Sequence, residues 1–340
     1  MLTVLLSGID TLEATFKGTL GFPDELEHYR TLAQENKCPV PIQIADDILY
    51  VQPHGQTPWR YLLVGDDYHV RLSDSAEVPS GSVRLLSRGL LTYGARALYQ
   101  RAAAAVAECG PGYHAGLSRI DTFIDFQGWT PEDEIMRNVV TRLRYEGRHG
   151  HDKTTETYQA GKGDLVVRLY NKTREIVSSR KFELLDVWSA AEGFDPREST
   201  WRFESQMRRA RLKELARESV GAALADPGSL LDHTLDQWEL RVPVGKSSDR
   251  WERHPVWDEL ARAVPVIDPV IRQIADRPPG ELAHLVPLIA GCYSSVAAAL
   301  GLADLDSTHE TVLDLITRYH EERERDFEHD VVMKSLRRHA

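Results

Sequence analysis

Cysteine is scarce in this chain: Cys38, Cys109 and Cys292 are the only three in 340 residues, and none sits in a CxxC pair. Wide spacing and an odd number exclude a disulfide framework and a Cys-built zinc site, and they fit a reducing compartment. Positive charge is short as well. Against 41 Lys and Arg stand 52 Asp and Glu, a formal net charge of -11. That excludes a general nucleic-acid coat, because bulk phosphate binding needs cations; it leaves room for a local basic groove. No GxxxxGK[ST] occurs, so a P-loop motor is excluded. The opening MLTVLLSGID has no basic lead or cleavage site, so no secretory leader is expected. The most apolar stretch, Leu285 to Leu305, is interrupted by Pro287, Ser294, Ser295 and Asp304, and predicts a buried helix rather than a membrane span. The expectation is a soluble, cytoplasmic protein that does not use a membrane.

What is present is globular: 42% hydrophobic and 27% charged residues, ample for a core. Residues 3–17 alternate as a strand, and 22–36 carry Phe22, Leu26, Tyr29 and Leu32 at helical spacing. Strand-like pieces follow at Ile42–Ile44, Ile48–Gln52, Arg60–Val64, His69–Leu72 and Ser82–Leu86, separated by turn residues. An alanine-rich helix is expected over 90–108. Then the order recurs: a strand at Ser118–Phe126, a helix from Thr130 to about Tyr145, and strands at Thr155–Gln159, Leu165–Lys172 and Thr200–Gln206. Thr130-Pro131-Glu132-Asp133 has the cap, the proline and the acids of a helix start. Ile9-Asp10-Thr11-Leu12 reappears as Ile120-Asp121-Thr122-Phe123, each followed by a Phe and a Gly. Two related halves are therefore expected. From Met207 the chain reads as helical. The expected fold class is α+β: a mainly antiparallel sheet, helices on one side, two pseudo-repeated halves, then a small all-helical domain. The catalytic domain is expected over 1–240 and the helical one over 245–340.

Three segments carry chemistry. In Ser118–Phe126, strand alternation puts Asp121, Phe123 and Asp125 on one face. Paired carboxylates on a core strand are costly unless they meet something positive, and magnesium or manganese suits oxygen ligands. In Gly161–Lys172, Arg168, Tyr170 and Lys172 share a face. A tyrosine between two cations is a candidate nucleophile, because positive charge favours the phenolate, and Arg168 and Lys172 are suited to a scissile phosphate. In Thr200–Arg209, Arg202, Glu204 and Gln206 share a face, and Glu204 is placed to complete a metal site with Asp121 and Asp125. Charge is distributed accordingly. Arg137 to Lys181 holds 11 cations against 5 acids, and Arg202 to Arg217 holds 6 against 2. Within an acidic chain this is the footprint of a backbone groove.

Ile-Asp-x-x-Ile-Asp on one strand, Arg-x-Tyr-Asn-Lys with Glu175 soon after, and Trp-Arg-x-Glu followed by Arg resemble the rolling-circle replication initiation factors. That group includes the Rep_trans plasmid initiators and the relaxases of some conjugative transposons. The resemblance spans about residues 1–217, with its motifs in 118–209. It implies a DNA nicking-joining endonuclease acting at a replication or transfer origin, with a 5′-phosphotyrosyl intermediate, a divalent cation (Mg²⁺ or Mn²⁺) and usually a homodimer. Its DNA partner would be single-stranded or a hairpin, and a host helicase is a further partner. Carried over by position, Tyr170 would be the nucleophile. Asp121 and Glu204, with Asp125, would hold the metal. Arg168, Lys172 and Arg202 would contact phosphate. Arg119, Arg208, Arg209 and Lys162 are the further cations expected along DNA. Asp10 aligns with Asp121 in the repeat.

Plainer readings stand beside these. Tyrosine favours strands, and Tyr170 is one of 12. Asp121 and Asp125 can pair with Arg119, Arg168 or Arg202 in a structural ion network. The basic stretches can be solvated faces. His149-Gly150-His151 reads as a polar turn. A hydrolytic metal-dependent nuclease and a non-catalytic origin- or operator-binding protein are the competing functions.

Overall fold

The structure, a computed structural model, describes residues 2–151, 154–179, 182–264, 280–322, 327 and 331. They divide between two units, residues 1–273 and 274–340.

The first unit is built on an 11-stranded sheet. Its strands in chain order are β1 (Thr3–Lys17), β2 (Val40–Ile44), β3 (Asp47–Val51), β4 (Tyr61–Val64), β5 (Tyr68–Leu72), β6 (Gly81–Leu85) and β7 (Tyr113–Gln127). After β8 (Val139–Thr141) come β9 (Glu146–His151), β10 (Thr154–Ala160), β11 (Leu165–Asn171) and β12 (Trp201–Arg208). The spatial order is β2-β3-β4-β5-β6-β1-β7-β12-β11-β10-β9. Every adjacent pair is antiparallel.

The two expected halves are visible in this order. Each begins with a 15-residue strand, β1 or β7. Each ends with the strand that flanks it on the outside, β6 or β12. The long strands meet at the centre, and the repeated tetrads pair there: Ile9 lies opposite Thr122, Thr11 opposite Asp121 and Leu12 opposite Ile120, with a bulge that sets Asp10 aside from the ladder. Each long strand carries a buried phenylalanine, Phe16 or Phe126, two residues before a positive-φ glycine, Gly18 or Gly128. At Gly18 a side chain would also meet the backbone of Pro111 at 2.7 Å.

Alternation sorts the faces. Leu12, Ile120, Ile124, Val167, Leu169, Phe203 and Met207 point into the main core, where the helices Ala95–Glu108 and Pro227–Gln237 bury Leu98, Val106, Leu230 and Leu235. The opposite face carries the charged residues. Two helices depart from the one-sided arrangement: Lys172–Ser179 and Glu183–Ser189 cover an end of the charged face, packing Ile176, Leu184 and Trp188 on Leu5.

Three local expectations change. The helix foreseen over Thr130–Tyr145 shrinks to Asp133–Met136, because the β-branched run Val139-Val140-Thr141 forms β8 instead. β8 pairs with β13 (Trp238–Val242), which pairs with β14 (Glu252–Arg253), so the region after Met207 is not all helical. β12 runs on past Gln206 through Arg208, so the helix expected from Met207 begins at Arg209 and ends at Glu214. Residues beyond 245 also belong to the first unit's core: Trp257, on the helix Pro255–Ala263, is fully buried against Phe203 and Trp238.

In the second unit the described helices are Gly280–Leu300 and Leu305–Glu321. The apolar stretch expected to be buried is largely exposed over 289–300. Among the described residues no helix is long and apolar enough to cross a membrane.

Candidate active site

β7, β12 and β11 lie side by side, so their register decides which charged side chains meet. Arg202 stands opposite Asp125 on one side and Tyr170 on the other; Glu204 stands opposite Phe123 and Arg168; Gln206 stands opposite Asp121. Residues paired in register share a face.

Tyr170 is half-buried. Its hydroxyl donates to Glu204 Oε2 at 2.8 Å and accepts from Lys172 Nζ at 3.4 Å. Arg168 Nη1 donates to the other oxygen of Glu204 at 3.1 Å, and its Nη2 reaches Gln206 Oε1 at 3.4 Å. The amine of Lys172 is paired with Glu175 Oε2 at 2.5 Å. Four of the expected residues (Tyr170, Arg168, Lys172 and Glu204) thus form one hydrogen-bonded cluster.

The electrostatics differ from the expectation that flanking cations favour the phenolate. Burial, then the charge of Glu204, pushes the Tyr170 phenol well above its usual range, and Arg202 only opposes this. Burial and Arg202 push the Lys172 amine down. Lys172 is 1% exposed, so in this conformation it holds the phenol and does not face a phosphate.

A second network lies beside the first. Arg202 is 0% exposed. Its Nε and Nη2 donate to Asp125 at 2.5 and 2.8 Å, its Nη1 donates to Asp10 at 2.6 Å, and its guanidinium lies 3.7 Å from the Phe123 ring centre. Trp188 Nε1 adds a bond of 3.0 Å to Asp125. Asp125, also fully buried, is therefore spent on structural partners, and Arg202 cannot touch DNA from this position. The structure thus encloses both among protein partners, at positions where a metal ligand and a phosphate contact are the expectation.

Asp121 pairs with Arg119 through bonds of 2.8 and 2.5 Å. Even so, burial outweighs that partner, and with Glu204 and Asp10 adding negative charge its carboxyl is raised to about 6. Asp10, Asp121 and Glu204 thus act on one another, while Asp125 stays apart with Arg202. Among the described residues no three His, Cys, Asp or Glu side chains form a group able to hold a metal ion as they stand.

The remaining expected cations are dispersed. Arg208 and Arg209 are exposed at the end of β12. Lys162, in the turn before β11, lies 3.9 Å from the Tyr145 ring centre. His149 and His151 sit on the edge strand β9 rather than in a turn. Trp188 has no sequence signal of its own, Glu175 is marked only by its place after Arg-x-Tyr-Asn-Lys, and only the tetrad repeat points to Asp10.

No family model matches this chain, and no curated protein does. Among solved structures, one described as the rolling circle replication initiator protein from Geobacillus stearothermophilus is similar over 81% of this chain and 100% of that one. The TM-score is 0.47 and the identity 16%, too distant to say anything of residue roles.

Proposed function

We propose that this chain nicks and rejoins one strand of DNA with Tyr170 as nucleophile, at a replication or transfer origin. The observation that carries the reading is the chain Lys172–Tyr170–Glu204, in which a half-buried phenol already donates its proton to a carboxylate at 2.8 Å. The motif resemblance to rolling-circle initiators supports it.

The chemistry follows from that contact. A phenol with a raised pKa is a poor nucleophile until its proton is removed, and Glu204 is the positioned acceptor. As the proton passes to Glu204, the phenolate oxygen bonds to phosphorus and the bond from phosphorus to the 3′ oxygen breaks. The 3′ oxygen leaves and takes a proton from water. One phosphate diester replaces another, so the step reverses when a strand hydroxyl attacks the phosphotyrosine. The Lys172 ammonium stabilises the developing phenolate, and Arg168, partly exposed beside Glu204, is placed to hold the phosphate.

A divalent cation, Mg²⁺ or Mn²⁺, belongs to the proposal in altered form. Asp125 fits it least, because it is fully enclosed and Arg202 and Trp188 together donate three hydrogen bonds to it. Asp121 and Glu204 would hold the ion in exchange for their present donors, Arg119 on the one and Arg168 with Tyr170 on the other; bound there, the ion would supply charge to a phosphate oxygen. The test is a denaturant-resistant protein–DNA adduct with labelled single-stranded oligonucleotides, mapped to its residue. Cleavage that survives Tyr170→Phe favours a hydrolytic nuclease, and binding without cleavage favours an origin-binding protein.

A further inference from the structure

On the same face as Tyr170, away from the helix Glu183–Ser189, one row of directly paired residues crosses five strands. His69 on β5 lies opposite Arg84 on β6; Arg84 lies opposite Glu13 on β1; Glu13 lies opposite Arg119 on β7; Arg119 lies opposite Arg208 on β12. Arg71 extends the row, two residues from His69. Five strands at the usual spacing span about 19 Å, and Arg208 lies about 20 Å along β12 from the residue opposite Tyr170.

The row is richer in cations than its own acid can balance. Arg71 donates to Glu13 at 2.8 Å, while Arg84 Nε and Arg119 Nη1 stand 3.7 and 3.8 Å from the same carboxylate. Three guanidiniums therefore share one acid, and Arg119 also serves Asp121. The Nε atoms of Arg71 and Arg84 are buried without a hydrogen-bond partner, so protein acceptors fall short of these guanidiniums. Burial and the charges of Arg84 and Arg71 push the His69 ring down, which marks a positive field there. Side chains of Arg84 and Arg119 are 39% and 22% exposed, so the row is reachable.

We infer that this row, running from Arg208 and Arg119 into Arg84, Arg71 and His69, is a track for the phosphate backbone of single-stranded DNA leading away from Tyr170. Phosphate oxygens are acceptors for the exposed guanidinium nitrogens of the row, which bind them in forked pairs. The track places the DNA path in the first half of the sheet, which no basic run in the sequence marks. It rests on the nicking reading for the identity of the strand, and on the row alone for the binding.

Fluorescence anisotropy with a labelled single-stranded oligonucleotide across a salt series tests it, since binding needs no cleavage. For Arg84→Gln with Arg208→Gln, the slope of log K against log salt should fall by about 1.4, two phosphate contacts at about 0.7 each. Glu13→Gln removes the acid of the row and should tighten binding, a gain that misfolding cannot mimic. Arg262→Gln, on the helix Pro255–Ala263 that packs against the opposite face of the sheet, should bind as wild type. An unchanged slope in the double variant, or no gain from Glu13→Gln, overturns the track. Wild type that binds along the row but never forms an adduct overturns the nicking reading and leaves the track standing.

Discussion

Arg202 grips Asp125 through two nitrogens, at 2.5 and 2.8 Å, in a place where both side chains are fully buried. Neither charge has a solvent alternative, so each depends on the other. Arg202→Met should cost about 3–5 kcal/mol, because it strands a buried carboxylate. Arg202→Met combined with Asp125→Leu should recover most of that loss. Urea denaturation of the two proteins checks this: equal loss in both means the pair is not coupled.

Glu204 should matter in a different way. Glu204→Gln keeps the shape and loses the proton acceptor for Tyr170. Adduct formation in a single turnover is expected to fall about 10²- to 10⁴-fold, with the fold intact by circular dichroism. A fall of less than threefold removes Glu204 from the proton path.

Asp121 gives a pH signature. Its carboxyl is raised from an ordinary 3.8 to about 6, so the folded state holds this proton more tightly than the unfolded one. The sign is therefore unfavourable at high pH: stability is lost as pH rises from about 4 to 6, by at most about 3 kcal/mol. Asp121→Asn should flatten that decline relative to wild type. A cation held by Asp121 and Glu204 should oppose it, so manganese should raise the melting temperature of wild type more at pH 7.5 than at pH 5, and not that of Asp121→Asn. Equal manganese effects in both proteins argue against a cation there.

The extent of the first unit is testable by truncation. Trp257 is 0% exposed and packs on Phe203 and Trp238. A chain ending at 245 should be destabilised, as should Trp257→Ala by about 3–5 kcal/mol, whereas a chain ending at 264 should unfold cooperatively near the full-length midpoint.

Much of this was legible beforehand because it depends on alternation. The period of two in Ser118–Phe126, Leu165–Lys172 and Thr200–Gln206 groups Asp121 with Asp125, Arg168 with Tyr170 and Lys172, and Glu204 with Arg202 and Gln206, each set on one face of its own strand. Pairing partners were not legible. That Asp125 would meet Arg202, and that Glu204 would meet a phenol, depends on register, which one residue of slip inverts. The sign of the Tyr170 shift is not legible either, since flanking cations show in sequence while burial does not. Trp188 reaches Asp125 from a helix 63 residues away in sequence, and nothing local announces it. The failed helix after Thr130 shows a good start signal overridden by a β-branched run that found a partner in β13.

The most direct measurement is covalent capture. Full-length protein is incubated with manganese and labelled single-stranded oligonucleotides, then denatured, digested and mapped by mass spectrometry. The expected result is one DNA-linked peptide carrying Tyr170, absent in Tyr170→Phe. Cleaved DNA with no linked peptide, or an adduct on another residue, contradicts the assignment of Tyr170.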